Sequence, residues 1–449
     1  MPSLSDSQLG SVKLLIQTAP DSAIQDLEAT LSSGSERHET MRTIQQMVVA
    51  EAADRRGRNA TFSPLLPLCG PKRETLRCLR FPGSTLGHLW RGLKESCPTG
   101  VQAAITAASD IYAENTGVAG FDELCARASA GLRMQSNASF EAAAAALDAA
   151  HPQGAELFAT YLDITPVARA SLSRMHEWLG RLNDERIAAA RCAFRDATAV
   201  AEDAGPRLLE ILYGHLEEPW AVLRLVSAVM SRPGDSYVAN SELASFGDRL
   251  MDDIDDRLAV VRAFNSDGGV EAGVLTGRAV RIAALEIQEF DESVDLSKEG
   301  PWGARLTIQK RALTGAVEGR LKGLESDVAA ALPLQSTAYK NKGTRGHPKL
   351  TNEPDWRLVN RARAGLTLMH EVRGSAERLG FGVLWNKTTE SIQLRLDAYV
   401  EDLLEKLRSA EEDGNLDRVR VFLDIAAEFM GLASDDKAAQ IVRRRVAAA

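Results

Sequence analysis

Four aspartates in residues 252–256 have the types and spacing that could hold a divalent cation. Carboxylates grouped in this way can hold Mg²⁺ against the diphosphate of a substrate. Leu250, Ile254 and Leu258, however, recur every four residues as an apolar helix stripe, and all four carboxylates point sideways or away from that stripe. No second acidic run on a partnering helix accompanies them. We therefore interpret the run as a solvated acidic face, and retain as an alternative a Mg²⁺-dependent all-α enzyme that uses Asp252 and Asp256.

A basic segment at residues 335–352 is the most distinctive charged feature of the chain. No acidic residue occurs between Asp327 and Glu353. The segment also contains glycines, which let backbone N–H groups approach an anion, but it does not match the phosphate-binding loop G-x-x-x-x-G-K-[ST]. We expect an anion or an acidic partner to contact it, and a solvated connection between two helices is the other interpretation. The candidate residues are Lys340, Lys342, Arg345, His347 and Lys349.

A second basic segment spans residues 55–80, where seven basic residues stand against the single acid Glu74. Phe62, Leu65, Leu66 and Leu68 lie within it. This mixture is typical either of a linear peptide that docks into a partner or of a buried irregular segment anchored by its leucines. We favour the buried segment slightly, and keep Arg73 and Arg77 as candidate anion- or partner-binding residues.

Motifs of catalysis are missing from the sequence. None of the seven histidines pairs with another at the i, i+4 spacing of a metal site, and no G-x-S-x-G motif occurs. The five cysteines show no C-x-x-C spacing, which predicts free buried thiols in a reducing compartment. We expect no catalytic residue, no metal and no cofactor, and the sequence favours a protein that is not an enzyme.

Composition sets the class of protein. The 449 residues are 45% hydrophobic and 26% charged, which is typical of a folded chain of more than one domain. A net charge of −9 argues against a protein that coats nucleic acid over its whole surface. The start of the chain lacks a basic n-region, and no apolar run approaches the roughly 20 residues of a membrane span. We expect a cytoplasmic protein without a membrane span.

Apolar residues recur with a helical period along most of the chain, which predicts an all-α fold. We predict an irregular region of short helices followed by an antiparallel bundle of longer helices, with an irregular α-solenoid as the alternative arrangement. No fixed repeat occurs. The predicted parts are N-terminal helices at 1–56, a Pro/Gly-rich basic linker at 57–82, a short-helix domain at 83–234, and a long-helix bundle at 235–449 with a basic loop at 335–352.

These features favour a cytoplasmic scaffold or adaptor that binds other proteins through helical surfaces. In residues 385–407 the apolar positions follow a 4-3-4 spacing like that of a coiled-coil seam, so we expect a homo-oligomer formed through this seam. The seam positions are Ile392, Leu396, Tyr399 and Leu403.

One alternative is a module that binds nucleic acid or anionic lipid through the segments 55–80 and 335–352.

Overall fold

A computed structural model describes most of the chain and confirms the predicted all-α class. Over its described part the chain forms twenty-one α-helices, four short 3-10 helices and one two-stranded sheet. The chain divides into two compact units, Met1–Ser231 and Arg232–Ala449. For residues 6, 32, 33, 39, 118, 119, 336–338, 344 and 345 the backbone alone is described. The described residues are 6–33, 39–71, 77–109, 118–180, 183–230, 234–338, 344–409 and 416–448.

The first unit is built from short helices. Its helices are α1 (Asp6–Thr18), α2 (Asp21–Ser33), α3 (Glu39–Thr61), α4 (Leu66–Cys69), α5 (Thr85–Ser96), α6 (Pro98–Ser109), α7 (Val118–Met134), α8 (Ala138–Ala150), α9 (Gly154–Asp163), α10 (Thr165–Leu179), α11 (Asp184–Val200), α12 (Ala204–His215) and α13 (Val222–Val229), with 3-10 turns at Ser63–Leu65 and Pro219–Ala221. The first three helices enclose a small apolar core of Ile16, Ile24, Val48 and Ala52.

Residues 57–82 are not the linker that the sequence predicts. Helix α3 continues through Gly57 to Thr61, and α6 packs on it so closely that a Cβ at Gly57 would lie 2.8 Å from the Ile105 side chain. Pro64 and Pro67 do not break the packing, because they occupy the first turns of short helices, where a missing N–H costs little. Phe62, Leu65 and Leu68 are fully buried, so residues 57–69 belong to the core of the first unit.

The second unit contains the long helices. They are α14 (Asp235–Ala239), α15 (Ala244–Arg262), α16 (Gly269–Ser293), α17 (Pro301–Ala331), α18 (Trp356–Glu371), α19 (Gly382–Ser409), α20 (Leu416–Ala433) and α21 (Asp436–Ala448), with 3-10 turns at Ser266–Gly268 and Arg373–Ser375. Strands β1 (Leu334–Ala338) and β2 (Thr344–Pro348) form an antiparallel hairpin between α17 and α18. The predicted basic loop at 335–352 is therefore in part a β-hairpin.

The long helices of the second unit stack in two layers. Helix α17 packs between α15 and α19 in the first layer, and α18 packs between α16 and α20 in the second. Helices α15 and α17 run parallel, because Asp248 accepts from Trp302 Nε1 at 2.9 Å and, further along both helices, Met251 O accepts from Gln309 Nε2 at 2.8 Å. Each successive pair, α15–α16 and α17–α18, contributes one helix to each layer.

Two glycines set the spacing of the second layer. Helices α16 and α18 are parallel and in close contact at Gly273 and Gly277. A Cβ at Gly273 would lie 2.6 Å from the carbonyl oxygen of Ala364, and one at Gly277 would lie 2.2 Å from Cβ of Glu371. Both distances are too short for any side chain, so the approach of these helices requires glycine at both positions.

The helix α17 begins on a buried carboxylate. Asp235 is 2% exposed, and its two oxygens accept hydrogen bonds from the backbone N–H groups of Trp302 and Gly303, each at 3.0 Å. These are donors that the first turn of a helix leaves without a partner, and the negative charge is favourable at a helix N-terminus. Asp235 therefore fixes where the longest helix of the unit starts.

Replacing a helix glycine of the second unit with alanine should raise or lower the free energy of unfolding, depending on what the glycine contacts. Gly277→Ala should lower the free energy of unfolding by about 1–3 kcal/mol, because the new methyl group overpacks the α16–α18 contact. In the monomer, Gly315→Ala in α17 should raise it by up to about 1 kcal/mol, since a Cβ there meets nothing within 4 Å and alanine is the better helix former. Urea denaturation of the two variants, at a protein concentration where each is a monomer, measures both changes, and a loss of stability in monomeric Gly315→Ala would contradict the described surface of α17.

Candidate functional site

The arginines of the first basic segment are engaged inside the first unit. Arg55 is 7% exposed and donates to the carbonyl oxygens of Ile16 at 2.9 Å and Ala19 at 2.7 Å, at the C-terminal end of α1. It also pairs with Asp21 at 2.8 Å and with Glu51 at 2.8 Å. Arg55 thus joins α1, α2 and α3, and its charge is not available to an external anion.

Three further arginines of the segment are used in the same way. Arg56 pairs with Glu28 at 2.6 Å, and Arg58 pairs with Asp21 at 2.7 Å. Arg80 donates to the carbonyl oxygen of Pro67 at 3.3 Å and to that of Gly70. Their positive charges therefore organise the unit's own fold.

Asp21 is the carboxylate shared by this cluster. Burial on its own would raise the pKa of Asp21, but hydrogen bonds from Asn59 and Arg58 and the charges of Arg58 and Arg55 lower the pKa below its ordinary value. The ionised carboxylate is therefore favoured by folding. Its contribution to stability is present above the pKa of the unfolded chain and is lost as the pH falls through the folded value.

The end of the same segment is docked onto its own unit. Leu79 donates its backbone N–H to the buried carboxylate of Glu210. The ring of Phe81 is 5% exposed and lies edge-on to Phe158 at 4.8 Å and to Tyr161 at 5.5 Å between centroids. Of the interpretation as a buried irregular segment, burial holds for Leu65 and Leu68, whereas Leu66 and Leu79 are half-buried and residues 55–61 belong to helix α3. Of the candidate residues here, Arg73 lies outside the described residues, and Arg77 is half-buried and engaged in an interaction.

Arg55→Gln should destabilise the packing of α1 and α2 on α3. The substitution leaves carbonyl oxygens at the end of α1 and the partly exposed Asp21 without their common donor, and the loss of hydrogen-bond partners by buried or partly buried groups costs about 1–3 kcal/mol. Hydrogen exchange should show faster exchange of the amides of α1 and α2. Arg42→Gln removes the same charge from an exposed position of α3 and serves as the control. Equal exchange in the two variants would contradict the role given to Arg55.

The second basic segment is anchored on α19. In the hairpin, Leu334 pairs with Pro348 and Gln335 with His347. The Leu334 side chain packs so close to Gly346 that a Cβ added there would lie 3.2 Å from it. His347 Nδ1 lies 3.7 Å from Oδ2 of Asp402, a nearly buried residue of α19. Opposite-charge groups at this separation attract when His347 is protonated. The contact holds strand β2 against the helix.

The candidate residues of this segment are described unequally. Lys340 and Lys342 lie outside the described residues, and Arg345 is described only by its backbone in β2. Lys349 is exposed and donates its backbone N–H to Pro333 O at 2.9 Å, which closes the base of the hairpin. The binding of an anion or partner by these residues stays a prediction.

The acidic run at 252–256 is solvated except at one position. Asp252 and Asp255 have side chains 54% and 49% exposed, and both pair with Arg305, at 2.7 and 2.6 Å. Burial opposes ionisation of Asp255, but the hydrogen bond and charge of Arg305 lower its pKa. Asp256 is also exposed. The prediction of a fully solvated acidic face is wrong at Asp253. This residue is buried, because α16 covers the side of α15 on which it lies.

Asp253 belongs to a buried carboxyl pair between α15 and α16. Arg257 Nε lies 3.0 Å from Asp253 Oδ2 and 3.4 Å from Glu286 Oε2. Glu286 is 1% exposed, and neither of its carboxyl oxygens has a hydrogen bond of ordinary geometry. Burial, reinforced by the neighbouring Asp253, raises the pKa of Glu286 well above its ordinary value, and Arg257 opposes this only in part. Glu286 therefore keeps its proton well above the pH at which an exposed glutamate loses it.

Glu286→Gln should change how the stability of the protein depends on pH. The pKa of Glu286 is raised on folding, so its contribution is complete below the unfolded pKa of about 4.3 and is lost as the pH rises through the folded value. The glutamine variant should match wild type at low pH and exceed it at alkaline pH by about 1–3 kcal/mol, because it carries no charge to bury. Urea denaturation across pH measures this, with the exposed Glu271→Gln as control. A parallel pH dependence in wild type and Glu286→Gln would contradict the assignment.

The predicted self-association seam at 385–407 lies inside the chain. Ile392, Leu396, Tyr399 and Leu403 are each no more than 2% exposed, because α19 packs on α17 and α20. A narrow apolar seam suits a neighbouring helix of the same chain as well as it suits a second subunit. The expectation that this seam joins two copies is therefore wrong.

An open helix face lies instead on α17. Ile308 is 68% exposed, and Gly315, Gly319 and Gly323 follow it with a spacing of four residues. A Cβ at any of the three glycines would meet nothing within 4 Å. We call Ile308, Gly315, Gly319 and Gly323 the α17 face. The spacing of its glycines is readable in the sequence but was not singled out there.

Other kinds of site receive no support from the described residues. Within them no group of three His, Cys, Asp or Glu side chains is placed to hold a metal ion. None of the described helices combines the length and the apolar character needed to cross a membrane. All five cysteines are unpaired; Cys69, Cys78 and Cys125 are buried, whereas Cys97 is half-buried and Cys192 is exposed, contrary to the prediction of buried thiols. No protein-family model, curated protein or solved structure matches the chain.

Proposed function

We propose that the protein is a cytoplasmic helical scaffold that binds other proteins through its helical surfaces and associates with a second copy of itself through the α17 face. The observation that carries this proposal is the two-layer stack of the second unit. Such a stack buries each helix against its neighbours and leaves a long outer face of helices available, as in proteins built from stacked helix pairs. Unpaired cysteines, one of them exposed, support a reducing compartment.

The glycines of the α17 face support the contact with a partner helix. Each glycine inside a helix costs about 1 kcal/mol relative to alanine, and within the described chain nothing approaches these three closely. The same spacing in α16, at Gly273 and Gly277, lets α18 approach to backbone contact. A second helix packed on the α17 face would use the open glycines in the same way.

The sequence around Gly319 is compatible with its own antiparallel copy. A twofold axis at Gly319 places Gly315 opposite Gly323 of the other copy. The same axis places the exposed Ile308 opposite the exposed Ala330. Small residues thus meet small residues, and apolar residues meet apolar residues. These matches favour a second copy of this chain as the occupant of the face.

Gly319→Glu should convert the protein to a monomer at concentrations where wild type is a dimer. The new side chain places a charge and bulk at the centre of the proposed contact, while a side chain there clashes with nothing in the single chain. Sedimentation equilibrium across the micromolar range measures the dissociation constant, which should rise by at least about a hundredfold. Gly10→Glu is the matched control, because Gly10 is also an open glycine inside a helix. A wild-type monomer, or equal association of Gly319→Glu and wild type, would contradict the proposal.

A further inference from the structure

Two polar atoms on α19 are buried without a partner. Tyr399 is 2% exposed, and its hydroxyl has no hydrogen bond. One turn earlier, the Nε of Arg395 is also buried without a hydrogen bond. Among the described residues, no hydrogen bond or ion pair reaches the Arg395 guanidinium at all. Arg395 and Tyr399 are four residues apart, so their side chains are neighbours on one face of the helix.

An unpartnered guanidinium at a partly buried position is costly. Arginine carries its charge at every accessible pH, and a buried donor without an acceptor costs about 1–3 kcal/mol, more when the group is charged. Arg55 and Arg363 are also buried or partly buried, and each has a carboxylate partner. Arg395 has no such partner among the described residues. A ligand that supplies a negatively charged acceptor explains why the chain carries an arginine at this position.

The same face of α19 carries the contact with the hairpin. Asp402 lies three residues after Tyr399 and seven after Arg395, which places all three side chains along one side of the helix. His347 of strand β2 meets Asp402 there, with 3.7 Å between Nδ1 and Oδ2. Asp402 has a further interaction as well. Arg395, on the same side of the helix, has no ion-pair partner among the described residues.

We infer that Arg395 and Tyr399 form a binding site for an oxyanion, a phosphate or carboxylate group, on the side of α19 that carries the hairpin. Both unpartnered atoms are hydrogen-bond donors, so the ligand atom that completes them is an acceptor. The fixed positive charge of Arg395 selects an acceptor with a negative charge, and hydrogen bonds of this kind are the strong ones. Arg395 is partly exposed, so a ligand can reach its guanidinium from solvent.

The phenol remains a donor at physiological pH. Burial raises the pKa of Tyr399, and the charge of Arg395 opposes this rise only in part. The hydroxyl therefore keeps its proton at physiological pH, where phosphate and carboxylate groups are ionised. The inference is independent of the proposed self-association, because the α17 face does not include these residues.

The site can be tested on the full-length protein with inorganic phosphate and, separately, with acetate. Isothermal titration at constant ionic strength, with chloride as the reference anion, measures binding. Tyr399→Phe removes one donor without changing the shape of the core and should lower the affinity by about tenfold. Arg395→Gln should abolish measurable binding. Arg408→Gln, which removes an exposed charge from the same helix, is the matched control and should bind as wild type does.

A second readout separates ligand binding from a loss of folding. Without the anion, Tyr399→Phe should be as stable as wild type or more stable, since it removes a buried hydroxyl without a partner. With the anion, wild type should gain thermal stability and Tyr399→Phe should gain less. Binding of phosphate alone identifies a phosphate site, and binding of acetate alone identifies a carboxylate site. Absence of binding by both anions, or equal binding by wild type and Tyr399→Phe, would overturn the inference.

Discussion

The close approach of α16 and α18 is the contact on which the second unit depends. At Gly273 and Gly277 the two helices meet with no room for a side chain. This contact aligns them in parallel, and because α15 and α17 are the partners of α16 and α18 along the chain, it places α15 and α17 side by side as well. Asp235 then fixes the first turn of α17. The two-layer stack, and the outward position of the α17 face, follow from these contacts.

Charge is used differently in the two units. In the first unit, the described arginines of the basic segment, such as Arg55 and Arg58, pair with partly exposed carboxylates of the same unit, and Arg55 also donates to its carbonyl oxygens. In the second unit, burial raises the pKa of Glu286, and no ion pair reaches Arg395 among the described residues. A strongly basic stretch of sequence therefore says little about external partners until its internal acceptors are known. The unpaired Arg395, which lies outside both basic segments, is the stronger indication of a ligand.

Helical periodicity predicts the all-α class because each long helix buries one stripe, as Leu250, Ile254 and Leu258 do in α15. The burial of Asp253 could not be predicted, since it depends on which flank of α15 is covered by α16. The hairpin carries no apolar alternation, so its strands give no period-two signal. The seam at 385–407 was read correctly as apolar, but spacing cannot tell a neighbouring helix from a second subunit. Period-four glycines have the same ambiguity: Gly277 is covered, and Gly319 is open.

Disulfide trapping tests the central claim, an antiparallel pairing of two α17 helices about Gly319, most directly. Cysteines bridge only when their Cα atoms lie within about 7 Å of each other. In a Cys192→Ser background, which removes the exposed native thiol, Gly319→Cys should form a homodimer under mild oxidation. A mixture of Gly315→Cys and Gly323→Cys should form mixed dimers, whereas neither variant alone should do so. The absence of a Gly319→Cys dimer would contradict the account. Dimers in Gly315→Cys alone, together with no mixed dimer, would contradict it as well.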